Sequence, residues 1–220
     1  MEKKILITGC ARSGTRYISN VLRRCGVKVG HEYTDDDGSA THFFPIESDA
    51  YPFFPWEKPP KAHVGERFSR FAFQHHWHQV REPLKVIGSC RVIVPKSEWK
   101  WLGSHFSPMK KYSGSQDRTT TSMAYWYYFN LFCEEHATWT YRIEDIDHVW
   151  VRFQTSLGIH KPIPNTSREL NRAKRFNQPW TSKEQKEKNA ENPTWDELYS
   201  LDPILTGNCQ RLAVRYGYDV

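Results

Sequence analysis

Residues 6–22, LITGCARSGTRYISNVL, place a glycine-rich turn between an apolar run and a helical pattern. Residues 3–9 (KKILITG) are typical of a short buried strand, and apolar residues then recur at helical spacing over residues 14–25. Gly9 and Gly14 have the G-x-x-x-x-G spacing of a phosphate-binding loop. The sequence therefore predicts strand, anion-binding turn and helix.

The predicted turn departs from a nucleotide triphosphatase loop at its end. Thr15 and Arg16 stand where such a loop has Lys followed by Ser or Thr. The turn still offers backbone N–H groups and a helix N-terminus, which bind anions. Ser13 and Thr15 add hydroxyl donors, and Arg12 and Arg16 add positive charge in a geometry that matches tetrahedral oxyanions. Without the hydroxyl that follows the lysine, the turn is poorly equipped for a magnesium-bridged triphosphate.

The rest of the chain repeats the alternation of strand and helix that is typical of an α/β fold with a parallel sheet. We predict one domain over residues 1–220, with a parallel sheet flanked by helices in three layers. The predicted strands after the first are residues 27–32, 73–80 and 139–143, and the predicted helices after the first begin at Pro83 or cover residues 122–136, 146–157 and about 195–216.

Two segments interrupt this alternation. Residues 42–63 contain five prolines and six aromatic residues, which predicts an ordered insertion at the functional edge of the sheet. Residues 164–193 are polar, charged and rich in Asn and Lys, which predicts a mobile loop. A basic cluster falls in this second segment: Arg168, Arg172, Lys174 and Arg175.

Composition narrows the class of protein. The net charge of +6 suits an anionic ligand but is too small to predict nucleic-acid binding. No run approaches the roughly 18 apolar residues that cross a bilayer. The five cysteines form no C-x-x-C pair, which favours a reducing compartment. We therefore expect a cytoplasmic protein without a membrane segment, of unpredicted oligomeric state.

A second candidate anion site lies in VREPLKVIGS, residues 80–89. Arg81 ends a predicted strand, and Ser89 follows two turns into the helix that begins at Pro83. The two side chains can bind one phosphate if the helix that begins at Pro83 folds back beside the end of the strand.

Together, the Gly-x-x-Arg-Ser-Gly-Thr turn and the Arg-x-Pro segment with Ser eight residues after its Arg resemble the sulfotransferases that use 3′-phosphoadenosine 5′-phosphosulfate (PAPS). TYRIEDI (140–146) and the terminal YGY (216–218) are similar to the family as well. The resemblance implies transfer of a sulfuryl group to a hydroxyl of a small molecule or glycan, with 3′,5′-ADP as the other product and no metal required. It is closer to the bacterial and carbohydrate-acting branches.

The resemblance also implies roles for individual residues. Arg12 would contact the sulfuryl group and the bridging oxygen, and Arg81 and Ser89 would bind the 3′-phosphate. Tyr17 would stack on adenine. Ser13, Gly14, Thr15 and Arg16 would complete the 5′-phosphosulfate loop, and the basic cluster in residues 164–193 would close over PAPS.

A general base for the acceptor hydroxyl is expected near the carboxyl ends of the strands, where open α/β sheets bind ligands. His31 and Glu32 end the second predicted strand, and alternation along a strand points only one of them at the site. Both remain candidates. We favour Glu32, because a glutamate at that place resembles the bacterial and carbohydrate-acting branches.

Two other functions remain open from the sequence. A P-loop kinase or nucleotidase is disfavoured by Thr15-Arg16 and by the lack of a clear metal-holding Asp. A non-catalytic protein that binds PAPS or 3′,5′-ADP is the other alternative. His75, His76 and His78 invite a metal site, but their spacing along a strand divides the rings between its two faces, which predicts no metal ligation.

Overall fold

In the part of the chain that the structure describes, five strands form an all-parallel sheet with helices around it. The computed structural model describes residues 2–42, 72–94, 96–115, 117–164 and 192–220. The strands lie in the spatial order β2-β3-β1-β4-β5. Their bounds are β1, Glu2–Thr8; β2, Val29–His31; β3, Gly38–Thr41; β4, Ala72–Val80; and β5, Trp139–Arg142.

Helices cover both faces of this sheet. On one face, α1 and α5 pack on Ile5, Ile7 and Trp77. On the other face, the remaining helices form a larger apolar core around α4. The predicted three-layer α/β architecture with a parallel sheet is therefore confirmed. The helices are α1, Thr15–Arg24; α2, Pro83–Ile93; α3, Lys96–His105; α4, Arg118–His136; α5, Ile146–Leu157; α6, Trp195–Leu201; and α7, Pro203–Arg215.

Side-chain caps fix where several of these helices begin. The Glu82 carboxylate accepts hydrogen bonds from the Leu84 and Lys85 N–H groups, and Pro83 occupies the first turn of α2. Asp117 caps α4 in the same way, and Thr194 forms a capping box with Glu197 at the start of α6. The predicted helix start at Pro83 is confirmed.

Three elements differ from the sequence-based prediction. The sequence did not predict β3, because its residues (GSAT) contain no apolar run, and this strand separates β2 from β1. It did not predict α3 either. The single helix predicted over residues 195–216 is wrong: the chain breaks at Asp202, which is extended and whose carboxylate accepts from the Leu205 N–H at the start of α7.

The three histidines of β4 divide between the faces of the sheet, as predicted. The His75 ring lies 5.4 Å from the ring of Trp77, on the α1 and α5 side. On the opposite side, His78 Nε2 lies 3.0 Å from Asn130 Oδ1 of α4. Within the ranges that the structure describes, no group of three or more His, Cys, Asp or Glu side chains is arranged so that it could hold a metal ion.

Two predicted features lie largely outside the described residues. These are the Pro-rich insertion, beyond residue 42, and the polar segment from residue 165 to residue 191, with Arg168, Arg172, Lys174 and Arg175. Among the helices that the structure describes, none has the length and apolar character needed to span a membrane.

All five cysteines are free thiols. Four of them lie in the core beneath the helices, and burial raises the pKa of each: Cys10, Cys90, Cys133 and Cys209. Cys25, next to the end of α1, is only partly buried.

We expect the free energy of unfolding to fall as the pH is lowered from about 7 to about 4. Burial lowers the pKa of His78 to about 3. A histidine in the unfolded chain binds its proton near pH 6.5, so the unfolded state takes up a proton that the folded state excludes. Urea unfolding across this pH range should show a weaker pH dependence in His78→Gln than in the wild type.

His148→Gln is the matched control, because His148 is exposed on α5. It should keep the wild-type pH dependence. An unchanged pH dependence in His78→Gln would contradict the assignment of this effect to the buried ring.

Candidate functional site

The candidate site lies where the carboxyl ends of β1 and β4 meet. The two strands are neighbours, with Thr8 opposite His78. After β1 the chain crosses to β2 on one side of the sheet, and after β4 it crosses to β5 on the other. Such a reversal opens a crevice at the strand ends, which is where open α/β sheets bind ligands.

The turn from β1 to α1 is held tightly against the end of β4. A Cβ atom at Gly9 would lie 2.4 Å from the Gln79 carbonyl oxygen, so only glycine fits there. Arg12 and Gly14 then adopt left-handed conformations, with φ of 73° and 101°. This backbone is strained at Arg12, because its side chain disfavours positive φ.

The turn directs a set of donors away from the protein's own acceptors. Ala11 N–H donates to the Tyr125 hydroxyl and Ser13 N–H to the Cys10 carbonyl. Other N–H groups of the turn find no acceptor within the described residues: those of Arg12, Gly14, Thr15 and Arg16. Ser13 Oγ is buried and has no hydrogen-bond partner in the described part of the chain. Such a group of donors at a helix N-terminus suits an anion.

The structure brings the two predicted anion-binding segments together. Arg12 Nε donates to Ser89 Oγ across 2.7 Å. Arg81 Nη1 donates to the Arg12 carbonyl oxygen across 3.0 Å. Residues that are 69 and 77 positions apart in sequence therefore form one basic cluster at the mouth of the crevice.

The remaining loop candidates lie at the start of α1. Arg16 is exposed. Tyr17 is half-buried and packs against the core under α1 and α5. The Thr15 hydroxyl lies 3.2 Å from His31 Nε2, which connects the turn to the end of β2.

Glu32 is the centre of a polar cluster at the ends of β2 and β3. Its Oε1 lies 2.7 Å from His42 Nδ1 and 3.0 Å from His31 Nε2. Its Oε2 accepts a hydrogen bond from the Thr41 hydroxyl across 3.0 Å. The three charged or titratable side chains are each about one-fifth exposed, at 20%, 20% and 18% for Glu32, His31 and His42.

This surrounding makes Glu32 a stable anion. Burial acts to raise the pKa of its carboxyl, but the adjacent His42 and His31 rings outweigh burial and hold the pKa well below its usual range. Glu32 also has a positive φ of 65°. Among the described residues, Arg12 and Glu32 are the two non-glycine residues in this strained region, and both were candidates from the sequence.

Several residues of the site were not predicted from the sequence. His42 was missed because β3, which delivers it to the crevice, was missed. Gln79 and Tyr141 are fully or nearly fully buried below the turn, where the Gln79 side chain donates to the Ser13 carbonyl across 2.9 Å. The sequence offers no signal for Gln79, because β4 (AFQHHWHQV) carries polar residues along most of its length.

Glu144 links the end of the chain to the segment that carries Arg81. Glu144 accepts hydrogen bonds from the Glu82 N–H, across 3.1 Å, and from the Tyr218 hydroxyl, across 3.0 Å. Arg142 donates to the Gly217 carbonyl. TYRIEDI and YGY, the two weaker sequence signals, are therefore in contact with each other beside the site.

Comparison of the chain with protein-family models, with curated proteins and with solved structures finds no match of significance in any of the three.

Proposed function

We propose that the protein is a sulfotransferase that moves a sulfuryl group from PAPS to an acceptor hydroxyl. The observation that carries this proposal is the contact between the two segments on which the resemblance rests: Arg12 bonds to Ser89, and Arg81 bonds to the Arg12 carbonyl. A donor with phosphate at both the 5′ and the 3′ position needs two adjacent anion sites. We assign the 5′ group to the turn after β1 and the 3′-phosphate to Arg81 and Ser89, which lie before and within α2.

The turn suits the 5′-phosphosulfate. It offers the N–H groups of Arg12, Gly14, Thr15 and Arg16 together with the Arg12 guanidinium. The transferred SO₃ group carries less negative charge than a phosphoryl group, so such donors can stabilise it without a bridging metal ion. This supports a sulfuryl rather than a triphosphate donor and agrees with the absence of the usual Lys-Ser/Thr ending. It also makes the kinase or nucleotidase the weaker alternative.

The proton acceptor of the reaction is best assigned to an imidazole of the Glu32 cluster. Because Glu32 is ionised and can only accept, His42 Nδ1 must be protonated toward it. When the His42 ring is neutral, its Nε2 is the basic nitrogen, which is the arrangement of a carboxylate-oriented general base. His31 directs Nε2 toward Glu32 and Thr15 instead. Glu32 itself, with its lowered pKa, is a weak base.

In the proposed reaction, the acceptor oxygen forms a bond to sulfur as its proton passes to the base. The bond from sulfur to the bridging oxygen breaks, and that oxygen leaves as part of 3′,5′-ADP. Arg12 stabilises the charge that develops on the sulfuryl and bridging oxygens. The acceptor is a small molecule or a glycan with a free hydroxyl.

We expect the wild-type protein to bind 3′,5′-ADP without metal and to bind 5′-AMP at least tenfold more weakly, measured by calorimetry. Arg81→Ala should remove most of this difference, because a charge-assisted hydrogen bond to phosphate contributes about 1.5–3 kcal/mol. Arg24→Ala, which removes an exposed arginine at the far end of α1, should bind both nucleotides like the wild type. Equal wild-type affinity for the two nucleotides would eliminate the 3′-phosphate site.

Arg12→Ala should reduce turnover more than it reduces affinity for 3′,5′-ADP. The guanidinium is assigned to charge that grows in the transition state, and loss of one such donor lowers kcat about 10²- to 10³-fold. The measurement is sulfate transfer from PAPS to a panel of sugars, phenols and alcohols. If the wild type binds 3′,5′-ADP but transfers to no member of the panel, a nucleotide-binding role without catalysis replaces this proposal.

The pH dependence of kcat/KM should distinguish the two kinds of base. With an imidazole base, the wild-type rate should fall as the pH is lowered, because protonation removes the nitrogen that accepts the proton of the acceptor hydroxyl. Glu32→Gln should keep a measurable rate, whereas His42→Ala should lose about 10²- to 10⁴-fold. A wild-type rate that stays level down to pH 4, together with full activity of His42→Ala, would indicate that Glu32 is the general base instead.

A further inference from the structure

We propose that Gln79 and Tyr141 are positioning residues that set the anion-binding conformation of the turn after β1; this inference rests on the proposed function. Neither residue belongs to the two segments from which the site was predicted. Both lie on strands, at the ends of β4 and β5, and both are buried beneath the turn.

The two side chains form a directed chain of hydrogen bonds. The Tyr141 hydroxyl donates to Gln79 Oε1 across 2.7 Å, and Gln79 Nε2 donates to the Ser13 carbonyl across 2.9 Å. A carboxamide can accept at one end and donate at the other, which a carboxylate or an aliphatic side chain of the same length cannot do. The hydrogen bonds from the Tyr141 hydroxyl through the Gln79 amide to the Ser13 carbonyl can therefore run in one direction only.

This chain fixes the direction of a peptide group in the turn. In a trans peptide the C=O and the following N–H point in opposite directions. The Ser13 carbonyl points down to Gln79, so the Gly14 N–H points away from the sheet, toward the crevice. The opposite orientation would present a carbonyl oxygen to the 5′-phosphosulfate and would leave the buried Gln79 amide unsatisfied.

The position of Gly14 agrees with this function. Its φ of 101° is the left-handed conformation that the fixed peptide requires before α1 can begin. A Cβ atom at Gly14 would lie 3.3 Å from Gln79 Nε2, so the amide packs directly against the turn. Tyr141 is itself held by the rings of Trp139 and Phe153, which anchors the whole chain of contacts in the core under α5.

The test compares binding of three nucleotides to the 220-residue chain: 3′,5′-ADP, 5′-AMP and 3′-AMP. The last has no 5′-phosphate and does not use the turn. Gln79→Met keeps the length of the side chain and removes both hydrogen bonds. It should weaken binding of 3′,5′-ADP and 5′-AMP at least tenfold and leave 3′-AMP within twofold. Tyr141→Phe should act in the same direction and less strongly, and the double variant should bind no worse than Gln79→Met, because the two residues act through one contact.

Tyr112→Phe is the matched control, since it removes the hydroxyl of a buried tyrosine that lies between α3 and α4, outside both anion-binding segments. It should leave all three affinities unchanged. Equal weakening of all three nucleotides by Tyr141→Phe, or no weakening by either variant, would overturn the positioning role. If the wild type itself fails to bind 3′,5′-ADP, the proposed function fails, and this inference fails with it. If the wild type binds and the variants do not behave as described, only the positioning role fails.

Discussion

The close approach of the turn after β1 to the end of β4 is the constraint on which the candidate site depends. Gly9 touches the Gln79 backbone, and the Gln79 side chain holds the Ser13 carbonyl. With the turn fixed in this position, its N–H groups face the crevice, and Arg12 comes within reach of Ser89 and Arg81. The two segments proposed to bind anions are thus parts of one structure, which buried, uncharged groups hold in place from below.

The negative charge of Glu32 organises the part of the site that lies at the ends of β2 and β3. Glu32 remains ionised because two imidazoles and the Thr41 hydroxyl surround it, and it orients those imidazoles in return. This carboxylate connects the ends of β2 and β3 to the turn through His31 and Thr15. The strain at Arg12 and Glu32 is therefore found where the local contacts are dense enough to maintain it.

The parts of the fold that depend on local pattern could be predicted from the sequence. The apolar run of β1, the helical spacing of α1 and the proline at the start of α2 each identify an element without reference to the rest of the chain. β3 could not be predicted, because Gly38–Thr41 is polar and small and becomes a strand only by pairing on both sides with β1 and β2. His42 could not be predicted as a site residue for the same reason, since it lies beside Glu32 only because β3 pairs between β2 and β1.

Residues whose role depends on a contact made only in the folded protein could not be predicted from the sequence either. Arg12, Arg81 and Ser89 were found because their types and spacing suit phosphate. Gln79 and Tyr141 carry no such signal, since each is an ordinary strand residue until the topology places it under the turn. The break at Asp202 illustrates a local signal that was overlooked: an Asp followed by Pro is a common helix start.

The distribution of thiols has a practical consequence for following this protein in solution. Four cysteines are enclosed in the core and one, Cys25, lies partly open next to the end of α1. A thiol-reactive dye should therefore attach at a single position in the native protein, next to the end of the helix that begins at the turn after β1. The natural sequence thus provides a site for a fluorescent reporter of ligand binding, and labelling of the four enclosed thiols would report the opening of the core.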